Sequence, residues 1–151
     1  MKRAQEYFRF EMTNSRHSAT ITDDLLKSML RLTPLPDDER YRLRVAISEI
    51  VSNSYLHGNL SRPDRRIITT FNLYADRIEI AVEDEGDGFE VLQAEEKYKT
   101  EGIYAPGGRG LKIVNKYADN VLYGKTEDGN FVVVVVKRYP LIRKRQPQVV
   151  E

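Results

Sequence analysis

Three short stretches of the chain combine residue types that could bind and use a nucleotide. They are residues 49–59 (EIVSNSYLHGN), 84–88 (DEGDG) and 107–111 (GGRGL). Glycines let backbone N–H groups approach a ligand closely, and a helix that starts after such a loop presents free N–H donors to an anion. With a carboxylate and an amide that could ligate a metal, the two glycine loops indicate a nucleotide site.

The first stretch places three polar residues on one edge of a helix predicted over about 37–57. At 100° per residue with Glu49 at zero, Asn53 lies at about 40° and His57 at about 80°, beside the apolar face. A glutamate there could accept a proton, and an asparagine carbonyl oxygen suits Mg²⁺ beside phosphates. The alternative is a polar helix edge whose asparagine makes structural hydrogen bonds.

The second stretch begins where an alternating strand over about 77–83 ends. The carboxylate of Asp84 is suited to accept a hydrogen bond from an exocyclic amine such as that of adenine. Gly86 and Gly88 would let the chain turn tightly around the base. An acidic surface turn, which Asp and Gly also favour, is the alternative.

The third stretch, Gly107-Gly108-Arg109-Gly110-Leu111, precedes a predicted helix. Its glycines and the helix N-terminus could cradle phosphates, and Arg109 could neutralise their charge. The alternative is a flexible loop that ends at a helix N-terminus. A dinucleotide G-x-G-x-x-G after a strand is absent, and Gly124-Lys125-Thr126 lacks the first glycine of a P-loop because residue 119 is Asp.

Composition narrows the class of protein. With 151 residues the chain fits one domain, and 40% hydrophobic and 31% charged residues are ordinary for a globular protein. A formal net charge of +1 does not mark a nucleic-acid binder. The absence of cysteine excludes a disulfide scaffold and a thiolate zinc site. No apolar stretch approaches a membrane span, so we expect a cytoplasmic protein without direct nucleic-acid or membrane contact.

The apolar periodicity predicts an α+β domain over 1–138. The predicted elements are a strand around 8–12, helices over about 21–32, 37–57 and 110–118, a hairpin of 66–74 with 77–83, and a hairpin of 121–124 with 131–136. Thr20 or Thr22 is expected to cap the first helix. Five consecutive valines at 132–136 predict a strand buried on both faces. The charged segment 89–106 is expected to be a mobile lid, and 139–151 a flexible basic tail.

The three stretches, in this order, resemble the N, G1 and G2 boxes of the GHKL ATPase superfamily over about residues 38–137. They are most similar to the small single-domain anti-sigma-factor serine/threonine kinases. The resemblance implies a Bergerat-type two-layer sandwich, a mixed and mostly antiparallel sheet with helices on one face. ATP would lie between helix and lid.

The resemblance also implies roles for single residues. Glu49 matches the general base, Asn53 the Mg²⁺ ligand and Asp84 the carboxylate that recognises adenine. The remaining nucleotide-binding positions are His57, Gly86, Gly88, Gly107, Gly108, Arg109, Gly110 and Leu111. The chain departs from the family before the last strand, where Asn130 follows Gly129 in place of a threonine that lies near adenine in many members.

The function implied is an ATP- and Mg²⁺-dependent serine/threonine protein kinase that sequesters a sigma factor and phosphorylates an antagonist protein. Family resemblance also implies a homodimer. Two alternatives stay open: a nucleotide-gated protein-binding module without phosphotransfer, and an ATP-binding subunit related to histidine kinases. The presence of Glu49 favours the enzyme.

Overall fold

The computed structural model describes residues 4–88 and 108–141, with the backbone alone for 108–111. These ranges form five strands, three α-helices and one π-helical turn. In chain order the elements are β1 (Glu6–Thr13), α1 (Ser18–Leu30), α2 (Asp37–Asn53), the π turn (Ser54–Gly58), β2 (Arg66–Leu73), β3 (Arg77–Asp84), α3 (Gly108–Tyr117), β4 (Asn120–Lys125) and β5 (Phe131–Arg138). The predicted segment 89–106 and residues 142–151 of the predicted tail lie outside the described residues.

The strands form one sheet in the order β1-β2-β3-β5-β4. All four pairings are antiparallel, so the sheet that was expected to be mixed is antiparallel throughout the described residues. The predicted hairpin of β2 with β3 is confirmed, and Phe71 lies opposite Ile80 in its register.

The helices pack on one face of this sheet. Phe71, Ile80 and Val135 project from that face and are fully buried in one apolar core with Leu26 of α1 and Ile47 of α2. Side chains alternate between the two faces of a strand, which is why the alternation in the sequence predicted this face. Fully burying one such side chain contributes roughly 1.5–3 kcal/mol. The two-layer α+β sandwich is therefore confirmed.

Strand β5 is less buried than its five valines predict. Val133 and Val135 face the helices and are buried, but Val132 and Val134 project from the opposite face and are half-buried. The described helices pack on the first face alone, so the expectation of burial on both faces is wrong for these two residues.

Helix α1 begins at Ser18, three residues before the predicted start at Ile21. The Ser18 hydroxyl donates to the Thr13 carbonyl (3.2 Å) and accepts the Ser15 N–H (3.0 Å). These local bonds close the turn that leads into the helix. Thr20 and Thr22, the two expected caps, instead lie inside the helix, and Thr22 is buried.

The helix predicted over 37–57 changes type before its end. The α-helix stops at Asn53, and the π turn follows, closed by the Asn59 N–H donating to the Ser54 carbonyl (2.7 Å). The next two residues, Leu60 and Ser61, have left-handed backbone angles, with φ of 54° and 57°. The predicted angular position of His57 is therefore wrong, because it assumed 100° per residue through a wider turn.

The first residue of the predicted tail is fixed in the structure. Tyr139 packs against the core, and its N–H donates to the Asp76 carbonyl (2.9 Å). None of the helices in the described ranges combines the length and apolarity that a membrane span requires.

The left-handed backbone at Ser61 generates a test of stored strain. A non-glycine residue there costs roughly 1–2 kcal/mol, whereas the added chain entropy of glycine costs roughly 0.5–1 kcal/mol. We expect Ser61→Gly to raise the free energy of unfolding by about 0.5 kcal/mol, measured by urea denaturation. The control is Ser28→Gly, at an exposed position inside α1, which should lower it by about the same amount. A loss of stability in Ser61→Gly would contradict the strain.

Candidate nucleotide-binding site

A narrow, mostly apolar cavity lies between α2, α3 and the sheet. It is lined by Ile50, Asn53, Ser54, Asp84, Val114, Tyr123, Phe131 and Val133. Its interior volume is about 10 Å³, close to the smallest space that holds one water molecule.

The structure brings two of the predicted site residues together in this cavity. Asn53, in the last turn of α2, and Asp84, at the end of β3, both contribute to its wall. Glu49 lies one helical turn before Asn53 on α2 and is half-buried, but it does not line the cavity. The four-residue step from Glu49 to Asn53 corresponds to about 6 Å along the helix axis.

Asp84 is a carboxylate with only 3% of its surface exposed. Burial raises its pKa above the ordinary value, because the charged form loses its water. Hydrogen bonds from the Gly86 N–H (2.9 Å) and from the Ser54 hydroxyl oppose this rise, as do the positive charges of Lys125 and Arg65. A buried carboxylate with a perturbed pKa in a cavity is typical of a functional site.

The backbone around Asp84 is packed so closely that two glycine positions leave no space for a side chain. A Cβ on Gly58 would overlap the Asp84 carboxylate, and a Cβ on Gly86 would overlap the Gly58 carbonyl. The Arg65 guanidinium donates to that same carbonyl (3.0 Å), and the Lys125 ammonium donates to the Gly86 carbonyl (3.3 Å). The end of the π turn and the turn after β3 are thus held in direct contact.

Gly88 makes room for an aromatic wall of the cavity. Its φ is +76°, and a Cβ there would overlap the ring of Phe131. Phe131 is the register partner of Asp84 on β5, and its ring stacks on Tyr123 with centroids 6.3 Å apart. Asn130, the position that departs from the family, does not line the cavity; its N–H donates to the Thr126 hydroxyl (3.1 Å) in the β4–β5 turn.

The other predicted residues lie elsewhere. His57 is exposed and lines a separate, open groove together with Gly58, Arg65, Glu85, Gly86 and Lys125, among others. Helix α3 begins at Gly108, which places the backbone of Gly110 inside the helix. Gly107 and the side chains of Arg109 and Leu111 lie outside the described residues, so their phosphate contacts stay a prediction.

Sequence reasoning missed several residues of this site. Ser54 falls on the apolar side of α2 by helical spacing, and a lone hydroxyl on that side was the available signal. Phe131 and Tyr123 had no such signal, since their apolar positions on β5 and β4 are those of ordinary core residues. Arg65 and Lys125 act on backbone carbonyls, which a residue pattern does not reveal.

The family model for the histidine kinase-like ATPase domain matches residues 13–136. The chain belongs to this family. The resemblance to the GHKL superfamily in three short boxes is thus confirmed over most of the chain. The matched range includes the residues that line the cavity.

Proteins similar to this chain come from Bacillus, Oceanobacillus and Mycobacterium species. A protein named serine-protein kinase RsbW from Bacillus licheniformis is 27% identical over 130 residues, which cover 80% of this chain and 79% of that protein. A protein named anti-sigma F factor from Oceanobacillus iheyensis is 30% identical over 86 residues, 56% of this chain and 59% of that protein. A crystal structure of RsbU and RsbW domains from Mycobacterium tuberculosis has a TM-score of 0.63 at 14% identity, over 90% of this chain and 34% of that one. The last likeness shows the fold.

The raised pKa of Asp84 determines how stability should depend on pH. The folded state holds its proton to higher pH than the unfolded chain, so the stability from Asp84 is full at acid pH and is lost as pH rises through the raised pKa. We expect Asp84→Asn to be more stable than the natural protein at pH 7, with the difference shrinking as the pH falls toward 4. Urea denaturation across this range measures it.

Asp23 provides a matched control with the opposite sign. Arg44 donates two hydrogen bonds to this carboxylate (2.9 and 2.8 Å) and lowers its pKa. Its stabilising contribution is present at neutral pH and is lost as pH falls through the lowered pKa, so Asp23→Asn should be less stable at pH 7. If Asp84→Asn behaved like Asp23→Asn, the desolvation of Asp84 would not be the dominant effect.

Proposed function

We propose that the chain is an ATP- and Mg²⁺-dependent serine/threonine protein kinase that acts as an anti-sigma factor, binding a sigma factor and phosphorylating an antagonist protein. The proposal depends on one observation above all: a buried carboxylate, Asp84, shares a cavity with Asn53, and Glu49 lies one turn away. The relatives named serine-protein kinase and anti-sigma F factor support the choice of protein substrate and partner.

The cavity supplies recognition of the base. The Asp84 carboxylate accepts a hydrogen bond from the exocyclic amine of adenine, while the Gly86 N–H and the Ser54 hydroxyl hold the carboxylate in place. Tyr123 and Phe131 offer an aromatic wall to the ring. Because such walls are apolar, the single carboxylate determines which edge of the base is accepted.

The donor set fits a magnesium ion that arrives with the nucleotide. In the ranges 4–88 and 112–141, no three His, Cys, Asp or Glu side chains are grouped so as to hold a metal by themselves. Mg²⁺ is ordinarily held by one or two protein oxygens together with substrate phosphates. The amide oxygen of Asn53 provides one such ligand, and the bound ion would neutralise phosphate charge.

We infer that Glu49 acts as the general base. Phosphoryl transfer needs positioning and charge neutralisation more than covalent chemistry. Glu49 takes the proton of the acceptor serine or threonine hydroxyl as that oxygen attacks the γ-phosphorus near Asn53. The bond from the γ-phosphorus to the β,γ-bridging oxygen breaks, and ADP is the leaving group. The N-terminus of α3 and Arg109 would bind the phosphates. In this proposal the kinase works in the cytoplasm as a homodimer.

A glutamine at position 49 separates catalysis from binding. Glu49→Gln preserves shape but cannot take the proton, and a general base contributes about 10²–10⁴-fold to rate. We expect calorimetry to show that the variant binds Mg-ATP as tightly as the natural protein does. With labelled ATP, its rate of phosphorylation of a candidate antagonist should be lower by about 10²–10⁴-fold. Asn53→Ala should instead lose Mg-ATP binding. Glu39→Gln is the control, because Glu39 lies on the same helix near Lys137, away from the cavity.

The outcomes distinguish the proposal from its alternatives. Transfer at the natural rate by Glu49→Gln would contradict the general-base role. If the natural protein bound ATP and its partners but modified none of them, a nucleotide-gated binding module would replace the kinase. Transfer from ATP to a histidine-bearing partner alone would favour a subunit related to histidine kinases.

A comparison of ATP with inosine triphosphate, in the natural protein and in Asp84→Asn, tests the contact of Asp84 with adenine. Asp84→Asn replaces an acceptor by an amide that can donate, and a hydrogen bond to a charged group contributes roughly 1.5–3 kcal/mol. We expect ATP affinity to fall about 10–100-fold. Inosine triphosphate, which has an oxo acceptor in place of the amine, should bind the variant at least as tightly as it binds the natural protein. Unchanged affinity for both nucleotides would remove Asp84 from base recognition.

A further inference from the structure

A fully buried amide, Asn59, follows the π turn and has no part in the chemistry described so far. Its side chain is 0% exposed, and its polar atoms are all hydrogen-bonded. Nδ2 donates to the Arg66 carbonyl (2.8 Å) and to Oδ1 of Asn14 (3.2 Å). Oδ1 accepts the Glu85 N–H (2.9 Å).

The three partners come from the ends of three neighbouring strands. Asn14 follows β1, Arg66 opens β2, and Glu85 follows β3. The N–H of Glu85 belongs to the peptide bond that leaves Asp84. One side chain therefore joins the exit of the π turn to the peptide beside the buried carboxylate.

Because of the packing around Asp84, the position of its carboxylate depends on the peptide bond between Asp84 and Glu85. Gly58, the neighbour of Asn59, lies against the carboxylate, and Gly86 lies against the Gly58 carbonyl. A shift of the Glu85 N–H would therefore carry the carboxylate away from its position in the cavity. A buried amide that loses one partner also leaves an unsatisfied polar group, which keeps the network in a single arrangement.

We propose that Asn59 is a positioning residue that sets the selectivity of the site for the exocyclic amine of the base, by holding the peptide between Asp84 and Glu85. The inference rests on the proposed contact of Asp84 with adenine. The inference concerns the orientation of the Asp84 carboxylate rather than nucleotide affinity in general. It therefore predicts a loss of discrimination between bases in addition to any loss of stability.

The test compares two nucleotides that differ only at the amine. ATP and purine riboside triphosphate have the same sugar, phosphates and metal contacts, so the ratio of their dissociation constants isolates the amine. We expect the natural protein to prefer ATP about 10–100-fold, and Asn59→Ala to reduce this preference about tenfold. Calorimetry is done at a temperature where circular dichroism shows each variant folded.

Asn14→Ala is the matched control. It also disturbs the buried network, because Asn14 donates to the Arg62 carbonyl (3.2 Å) as well as accepting from Asn59. It leaves the bonds of Asn59 to Glu85 and Arg66 in place, so its preference for ATP should equal that of the natural protein despite lower stability. In the Asp84→Asn background, Asn59→Ala should not change the ratio further, since the two act as a unit.

If Asn59→Ala does not fold, a second variant at the same position provides the test. Asn59→Ser retains one hydroxyl for the buried partners, but its shorter side chain cannot reach the Glu85 N–H and the Arg66 carbonyl together. It carries the same expected loss of preference.

Three results would overturn the inference. One is a folded Asn59 variant with the natural preference for ATP, and another is an equal loss in Asn14→Ala, which would indicate general loosening. The third is a natural protein that binds both nucleotides equally; this alone would also remove the proposed contact of Asp84 with the amine.

Discussion

A carboxylate buried at the end of the middle strand is the constraint on which the rest of the structure depends. Removing Asp84 from water is costly unless hydrogen bonds and opposite charges compensate. The compensation comes from separate elements: Ser54 from the π turn, Gly86 from the turn after β3, Lys125 from β4 and Arg65 before β2. The fold must bring all of these groups together, so the environment of the Asp84 carboxylate depends on how the strand ends pack.

The sequence predicted best those features that repeat along the chain. Alternation over 66–74 and 77–83 identified the β2–β3 hairpin and the face of the sheet that carries Phe71. The three box-like motifs identified the family and led to Asp84 and Asn53, which the structure places in one cavity. The β2–β3 hairpin and the key carboxylate could therefore be predicted from local sequence patterns.

The features that the sequence could not predict depend on contacts between distant segments. The aromatic wall formed by Phe131 depends on the register of β5 beside β3, which periodicity does not determine. The half-exposure of Val132 and Val134 reflects helices that pack on one face alone. Asn59 was part of a recognised motif, yet its three partners are 7 to 45 residues away along the chain.

The π turn at Ser54–Gly58 makes the number of residues at this point as important as their identity. Its hydrogen bonds span five residues rather than four, so it holds one residue more than an ordinary turn. Loss of that residue would rotate everything after it by about 100° and carry the buried amide away from the strand ends. An alignment of related chains that shifts a gap by one position across this segment would therefore assign a neighbour of Asn59, either Gly58 or Leu60, to its place.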